Sequence, residues 1–332
     1  MDPEKLEEGI TIILGCVILI LMLTLILLPS EKYKPIVPID ARIIVFAPHP
    51  DDEIAIAGGR LIQNNGESFI VYLTDGCYLD VGKEICTNQR RHEAIKALNF
   101  LGINSSHFIF LGYQDKFGFI DKDNTLEAIA KVRDIIVRLK PDEVYIPTYE
   151  GGNCIHDITN YIVSEAVRSL PTPPIMIEAP EYNDFISQQT PNLIFRKLAT
   201  RVFQTFFPFH PFRYPTQFLP QAQQPLINQN GIYLELLMSS GELNMKRAAI
   251  SFYVSQNLKL QLTEKFSFKD RYRIYPGYNY SMPPYRLEDS YGFKLCKIAN
   301  FFRGLVPGLG KRDCNRYGKC DITFEDYRSW FQ

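Results

Sequence analysis

Short runs of apolar residues alternate with stretches of helical periodicity along the first half of the chain. The runs have the length of strands and contain no charged residue; they cover 43–47, 69–73, 108–111, 144–146 and 175–177. Continuous apolar runs of this length are typical of strands that are buried on both faces of a sheet. The sequence therefore predicts five core strands.

Helical patterns fill most of the intervals between these runs. Apolar side chains recur at helical spacing over 126–139, where Pro141 ends the pattern and Asp123 or Asn124 would cap the helix. Similar patterns cover about 90–101, 156–170 and 241–256. Since strands that alternate with helices imply right-handed crossovers, we expect an α/β, Rossmann-like fold with a mostly parallel sheet and helices on both faces.

One uncharged apolar run, from Gly9 to Leu28, is much longer than any strand. A helix of this length is about 30 Å long, which matches the hydrocarbon core of a bilayer. The residues before it are mostly acidic and its exit lacks a small-x-small site, which disfavours a cleaved signal peptide. We therefore expect one N-terminal transmembrane helix. Two lysines follow it and one precedes it, so the positive-inside rule places the rest of the chain on the cytoplasmic side.

These patterns divide the chain into consecutive parts. They are an N-terminal tail (1–8), a transmembrane anchor (9–29), a linker (30–40), an α/β domain (41–260) and a C-terminal extension packed on the core (261–332). Proline, glutamine and aromatic residues are dense over 206–232, which indicates a long irregular loop or cap.

Composition narrows the class of protein. The 36 Lys and Arg balance 37 Asp and Glu, so the net charge is −1 and the chain has no basic field for nucleic acid. A hydrophobic content of 46% is that of a globular protein. The seven Cys are scattered, so we expect reduced, unpaired thiols; Cys314 and Cys320 would pair only in an oxidising compartment.

A polar segment directly follows the first predicted strand. Ligands bind at the carboxyl ends of parallel strands, which is where His49, Asp51 and Asp52 would lie. An imidazole and a carboxylate three residues apart suit zinc, while Asp51 can stay unligated and act on a metal-bound water. Neighbouring carboxylates at a buried strand end repel one another, and a divalent cation would remove that repulsion. An exposed acidic turn is the alternative.

The fourth predicted strand ends in a second polar segment, in which Gly151 and Gly152 permit a tight turn before His156. His156 then enters the next helix at the same edge of the sheet as His49. It can complete a His-Asp-His set that leaves one position open for water.

With these motifs the sequence resembles the PIG-L/LmbE-like family of zinc-dependent N-acetylglucosaminyl deacetylases. The resemblance extends over roughly residues 40 to 260 and is strongest at Pro48-His49-Pro50-Asp51-Asp52-Glu53, the family's AHPDDE-like string. Weaker family-like motifs follow in order; they are Thr74-Asp75-Gly76, Arg90-x-x-Glu93, Leu111-Gly112-Tyr113-Gln114-Asp115 and Lys246-x-x-Ala249.

The resemblance implies a role for each matching position. One zinc ion would be held by His49, Asp52 and His156. Asp51 would be the general base in hydrolysis of an N-acetyl amide. Arg90 and Asp115 match positions that contact the sugar.

Two positions depart from the family's usual turn, which reads like Gly-Gly-His-x-Asp-His. Asn153 stands where the family His helps to hold the oxyanion, and an Asn can donate a hydrogen bond there but carries no positive charge. Ile155 stands where the family Asp orients the histidines, which Ile cannot do. Two functions therefore stay open, an active N-deacetylase and a metal-retaining carbohydrate-binding relative with weakened catalysis.

The expected partners are an N-acetylglucosamine conjugate and a membrane, with no nucleic acid. A transmembrane anchor makes a glycolipid such as N-acetylglucosaminyl-phosphatidylinositol an attractive substrate, although an anchor suits an enzyme for soluble sugar conjugates equally well. A nucleotide-binding domain is disfavoured because the chain has no glycine-rich phosphate-binding string.

Overall fold

The structure, a computed structural model, describes residues 34–36, 40–77, 82–115, 122–149, 153–179, 232–256 and 269–280. The predicted anchor, almost all of the 206–232 loop and the pair Cys314 and Cys320 lie outside these residues. Within them, none of the helices combines the length and the apolar character needed to cross a bilayer.

Eight strands of the described residues form one sheet. They are β1 (Lys34–Pro35), β2 (Ile43–Ala47), β3 (Ser68–Thr74), β4 (Phe108–Tyr113), β5 (Glu143–Pro147), β6 (Ile175–Ala179), β7 (Tyr233–Leu237) and β8 (Lys269–Ile274). Their order is β1-β7-β8-β6-β5-β2-β3-β4. Only β8 is antiparallel to its neighbours, β6 and β7, so the mostly parallel sheet predicted from the sequence is confirmed.

Helices cover both faces of this sheet, as predicted. They are α1 (Asp52–Gln63), α2 (Lys83–Phe100), α3 (Lys122–Leu139), α4 (Cys154–Arg168) and α5 (Ser240–Ile250), with short 3-10 helices at Ser105–His107 and Val254–Gln256. Helices α1, α2 and α5 pack with Val45 on one face, while α3 and α4 pack with Ile44 on the other. Alternate residues of β2 thus point into two separate apolar cores.

Some helix ends differ from the predicted ones. Helix α3 begins at Lys122, so Asp123 lies inside its first turn and does not cap it. Helix α2 begins at Lys83, well before residue 90, because its buried residues all lie at Arg90 or beyond and the first half has no apolar stripe to reveal it. Helix α5 ends at Ile250; a turn over 251–252 and a 3-10 helix at Val254–Gln256 lie in the rest of the predicted helix.

Strand β8 lies in the part of the chain that the sequence assigned to a C-terminal extension. It pairs with β6 on one side and with β7 on the other, so it belongs to the sheet rather than packing on its surface. Its sequence, KDRYRI, has the charge density of a loop, which explains why the apolar pattern did not reveal it.

Cys77, just after β3, and Cys86, in the first turn of α2, form a disulfide with Cα atoms 6.1 Å apart. The expectation of unpaired thiols is therefore wrong for these two residues. The bond ties the carboxyl end of β3 to the start of α2, and both border the sheet edge at which the predicted site residues lie.

Candidate active site

Three polar side chains meet at the carboxyl ends of the neighbouring parallel strands β2 and β5. His49 follows β2 and Asp52 is the first residue of α1, while His156 lies in the first turn of α4, which follows β5. The site forms because parallel strands bring all their carboxyl ends to one edge of the sheet.

The three side chains have the geometry of a metal site. Nδ1 of His49 lies 2.9 Å from Oδ2 of Asp52, and Nε2 of His156 lies 3.3 Å from the same oxygen. Their ligand atoms all lie within 4.8 Å of one another. Ligand atoms about 2.1 Å from a tetrahedral ion are about 3.4 Å apart, so these spacings suit one zinc ion. The predicted zinc set is therefore brought together, with the mixed nitrogen and oxygen donors that zinc prefers.

Asp51 lies beside this set and is turned towards Arg90, whose Nη2 is 3.2 Å from its Oδ2. Its φ of 147° is one that side-chain-bearing residues rarely adopt. The strained backbone is held in part by its own N–H, which donates to Oε2 of Glu53 at 2.9 Å. Strain that is maintained in this way is typical of functional sites.

The pKa values of the two neighbouring aspartates, Asp51 and Asp52, are shifted in opposite directions. Burial, and next the charge of Asp52, raises the pKa of Asp51 well above its usual value. Burial would also raise the pKa of Asp52, but His156 and His49 outweigh it and hold that pKa well below the usual value. Asp52 is thus kept as a charged ligand, whereas Asp51 has the raised proton affinity that a general base needs.

Arg90, predicted to contact the sugar, is 7% exposed, and its guanidinium contacts other groups of the protein. Besides Asp51 it donates to the carbonyl oxygens of Gly76 and Pro50, the latter at 3.1 Å. A Cβ on Gly76 would lie 2.5 Å from the guanidinium carbon, so only glycine admits Arg90 there. Arg90 therefore fixes the orientation of Asp51, and its contact with a sugar stays a prediction.

Asp115, the other predicted sugar contact, lies just after β4 and reaches the metal site directly. Its Oδ1 is 3.1 Å from Nε2 of His49, the ring nitrogen opposite the one that faces Asp52. Burial would lower the pKa of His49, but hydrogen bonds to Asp115 and Asp52 outweigh it and raise that pKa to about 9. The role of Asp115 towards a sugar stays a prediction.

Two buried residues next to the site, Glu53 and Tyr253, were not predicted from the sequence. Glu53 is fully buried, and Tyr253, at the end of the α5 region, donates its hydroxyl to Oε1 of Glu53. Burial is the main reason that the pKa of Glu53 is raised, to about 7. Glu53 belongs to the AHPDDE-like string, so the sequence carried a signal for it, but only the fold brings together residues 200 positions apart.

Asn153, the predicted oxyanion residue, is the N-cap of α4. Its Oδ1 accepts a hydrogen bond from the backbone N–H of Ile155 at 2.9 Å, as capping Asn residues do. With the oxygen turned to the helix, the amide nitrogen is the atom that can donate to a substrate. Ile155 is buried in the apolar core beneath α4, and its aliphatic side chain can neither donate nor accept a hydrogen bond.

The fold and the site define an α/β protein with a metal site at the carboxyl edge of a parallel sheet. Residues 44–167 match the family profile described as PIG-L: GlcNAc-PI de-N-acetylase, and this stretch contains all seven predicted site residues. The resemblance to the PIG-L family that was inferred from the motifs is therefore confirmed over this stretch of the chain.

Solved structures with a similar fold have low sequence identity to this chain. The A40926 pseudoaglycone deacetylase Dbv21 is 15% identical, with 70% of this chain and 96% of that chain covered and a TM-score of 0.48. The conserved protein TT1542 from Thermus thermophilus is 18% identical, with 71% and 95% covered and a TM-score of 0.45. The N,N'-diacetylchitobiose deacetylase from Pyrococcus horikoshii is 15% identical, with 71% and 85% covered and a TM-score of 0.37. Comparison with curated proteins finds no match.

Proposed function

We propose that this protein is a zinc-dependent hydrolase that removes the N-acetyl group from an N-acetylglucosamine-containing substrate. The proposal rests on one observation: His49, Asp52 and His156 lie close enough to bind one ion, and the carboxylate of Asp51, which is outside this ligand set, lies beside them. The family match over 44–167 supports both the reaction and the sugar.

In this reaction the C–N bond of the amide breaks, and water supplies the oxygen of acetate and the proton of the free amine. Zinc held by the three ligands would lower the pKa of water and polarise the acetyl carbonyl. Asp51 takes the proton of the attacking water and returns it to the departing amine. Arg90, at 3.2 Å, holds the Asp51 carboxylate in place beside the three ligands. The amide nitrogen of Asn153 donates to the oxyanion as it forms.

Acetate release tests this proposal directly. Purified full-length protein is loaded with zinc, its metal content is measured, and acetate is followed with an N-acetylglucosaminyl lipid and with a soluble N-acetylglucosaminyl conjugate. Acetate release from either substrate supports the hydrolase. Bound zinc without acetate release would leave the carbohydrate-binding alternative, and absence of bound zinc would remove both functions.

Asn153 offers a separate test because capping and catalysis use different atoms of its side chain. Asn153→Asp keeps the capping oxygen but loses the donor, so we expect unchanged stability and a kcat about a hundredfold to a thousandfold lower. Asn153→Ala loses both groups and should additionally lower the free energy of unfolding by about 1 kcal/mol. Steady-state kinetics and urea unfolding measure the two effects; a wild-type kcat in Asn153→Asp would exclude the oxyanion role.

We further propose that the uncharged run from Gly9 to Leu28 anchors the protein in a membrane and that the substrate is a glycolipid. The support is the length and apolar character of that run, and a lipid-linked substrate would be held in the same surface as the anchor. The proposed orientation, from the flanking lysines, is cytoplasmic. The Cys77–Cys86 disulfide favours the opposite orientation, because such bonds persist mainly in oxidising compartments.

The redox state of this cysteine pair in intact cells tests the orientation. Thiols are blocked in living cells, and the pair is then reduced and labelled with a large maleimide. A cytoplasmic domain should react in the first step and gain no label in the second. A shift that appears only after reduction, and that is lost in the Cys77→Ser/Cys86→Ser variant, would place the domain on the opposite side. The same cells show by carbonate extraction whether deletion of residues 1–30 releases the protein from membranes.

A further inference from the structure

The ring of His49 lies between two carboxylates, one at each of its nitrogens. Nδ1 is 2.9 Å from Oδ2 of Asp52, and Nε2 is 3.1 Å from Oδ1 of Asp115. An imidazole binds a metal through one nitrogen only, and the hydrogen bond made by the other nitrogen decides which one that is. The nitrogen beside Asp52, itself a candidate ligand, is the one that would bind the ion, so the nitrogen beside Asp115 would carry the proton.

We infer that Asp115 is a positioning residue for the zinc site: it accepts the Nε2 proton of His49 and thereby keeps the Nδ1 lone pair aimed at the metal. This inference rests on the proposed zinc-dependent function, and it gives Asp115 a role different from the sugar contact that the family resemblance implies. Carboxylates that hold a ligating histidine in this way raise its basicity and fix the orientation of its ring.

Asp115 is itself held firmly enough for this role. Its backbone N–H donates to Oδ1 of Asp75 at 3.1 Å, and the same oxygen accepts from the N–H of Cys77 at 3.0 Å. Oδ2 of Asp75 lies 3.1 Å from Nζ of Lys83, at the start of α2. Asp75 is 7% exposed, so these bonds are shielded from water. The buried carboxylate of Asp75 therefore links the ends of β3 and β4 and fixes the position of Asp115 relative to His49.

The position of the Asp115 side chain also fits this role better than a role as a free sugar contact. Its side chain is 19% exposed, and the ring it contacts is 10% exposed, so the bond between them lies within the wall of the site. A carboxylate in that position aligns the ring before any sugar arrives. The zinc affinity of the protein without substrate must then depend on Asp115.

Zinc affinity measured by competition with a chromophoric chelator tests this, with no substrate present. The proteins compared are wild type, Asp115→Ala, Asp115→Asn and, as a matched control, Asp134→Asn, which makes the same chemical change on the exposed side of α3. We expect the zinc Kd to rise about 10-fold to 100-fold in Asp115→Ala and less in Asp115→Asn, which keeps an acceptor oxygen without its charge. Asp134→Asn should bind zinc like wild type.

The outcomes separate this inference from the proposed function. Zinc binding by wild type, with equal affinity in both Asp115 variants and a raised KM for the sugar, would overturn the positioning role and leave the hydrolase intact. No zinc binding by wild type would overturn both. If Asp115→Ala unfolds, Asp115→Asn, which has the same shape, decides alone: a weakened affinity with an unchanged unfolding midpoint supports the inference, and an unchanged affinity overturns it.

Discussion

Replacing Asp51 with Asn is expected to lower the rate of acetate release by about a hundredfold to ten-thousandfold while zinc stays bound. Asn has the same shape and tolerates positive φ better than most residues, so the unusual backbone at this position should persist. Its side chain can still accept a hydrogen bond from Arg90, but it cannot take a proton from water. The variant therefore removes the base and leaves the metal ligands in place.

The measurement is kcat for acetate release, with zinc content and unfolding midpoint determined on the same preparations. Asp134→Asn serves as the control for loss of one carboxylate, and it should keep wild-type kcat. Turnover by Asp51→Asn at the wild-type rate, with zinc bound, would show that another group takes the proton. A variant that loses its zinc would instead assign Asp51 to the metal.

The second large effect is on stability and concerns the buried ion pair between Lys246 and Asp270. Lys246, on α5, is 1% exposed, and its Nζ lies 2.7 and 2.8 Å from the two carboxylate oxygens of Asp270 on β8. Asp270 also accepts the backbone N–H of Gly59 at 2.9 Å, where a Cβ on that glycine would lie 2.6 Å from the carboxylate. The pair thus joins α1, α5 and β8.

Lys246→Met is expected to lower the free energy of unfolding by about 3–5 kcal/mol, because it leaves a buried, uncompensated carboxylate. This is a large share of the roughly 5–15 kcal/mol that holds a typical domain folded. Equilibrium urea unfolding measures the loss. The double variant Lys246→Met/Asp270→Asn should recover part of it, since no unpaired charge remains in the interior.

An exposed ion pair on α3 supplies the matched control. Lys131 and Glu127 are 46% and 53% exposed at side-chain level, so Lys131→Met should change the free energy of unfolding by less than about 0.5 kcal/mol. A loss below about 1 kcal/mol in Lys246→Met would contradict the prediction and would mean that the interior around Asp270 admits water.

The parts of this fold that apolar patterning controls could be predicted from the sequence. The run 43–47 forms β2 with the predicted boundaries. A strand that is buried on both faces is apolar throughout, so the first and last apolar residues mark its ends. The polar segment after it could then be assigned to the carboxyl edge of the sheet. That single topological rule brought His49, Asp52 and His156 to one site.

The parts that depend on pairing between distant residues could not be predicted. Strand β8 buries Asp270 and Arg273, which is tolerated only because Lys246 and Glu178 provide the opposite charges from elsewhere in the chain. A local pattern cannot reveal such a partner. The bond between Cys77 and Cys86 is of the same kind, since the connectivity of cysteines does not follow from their spacing.

The place of β8 in the sheet has a consequence for how the polypeptide acquires its shape as it is synthesised. Strand β7 pairs with β1 and β8 among the strands of the described residues, so within this sheet residues 269–274 supply the hydrogen bonds that link β1 and β7 to β6. Until those residues have left the ribosome, β6 lacks β8, one of its two partners among the described strands, and a strand edge without its partner can pair with a second nascent molecule. Pairing of the eight described strands into one sheet therefore waits until residues 269–274 have been translated.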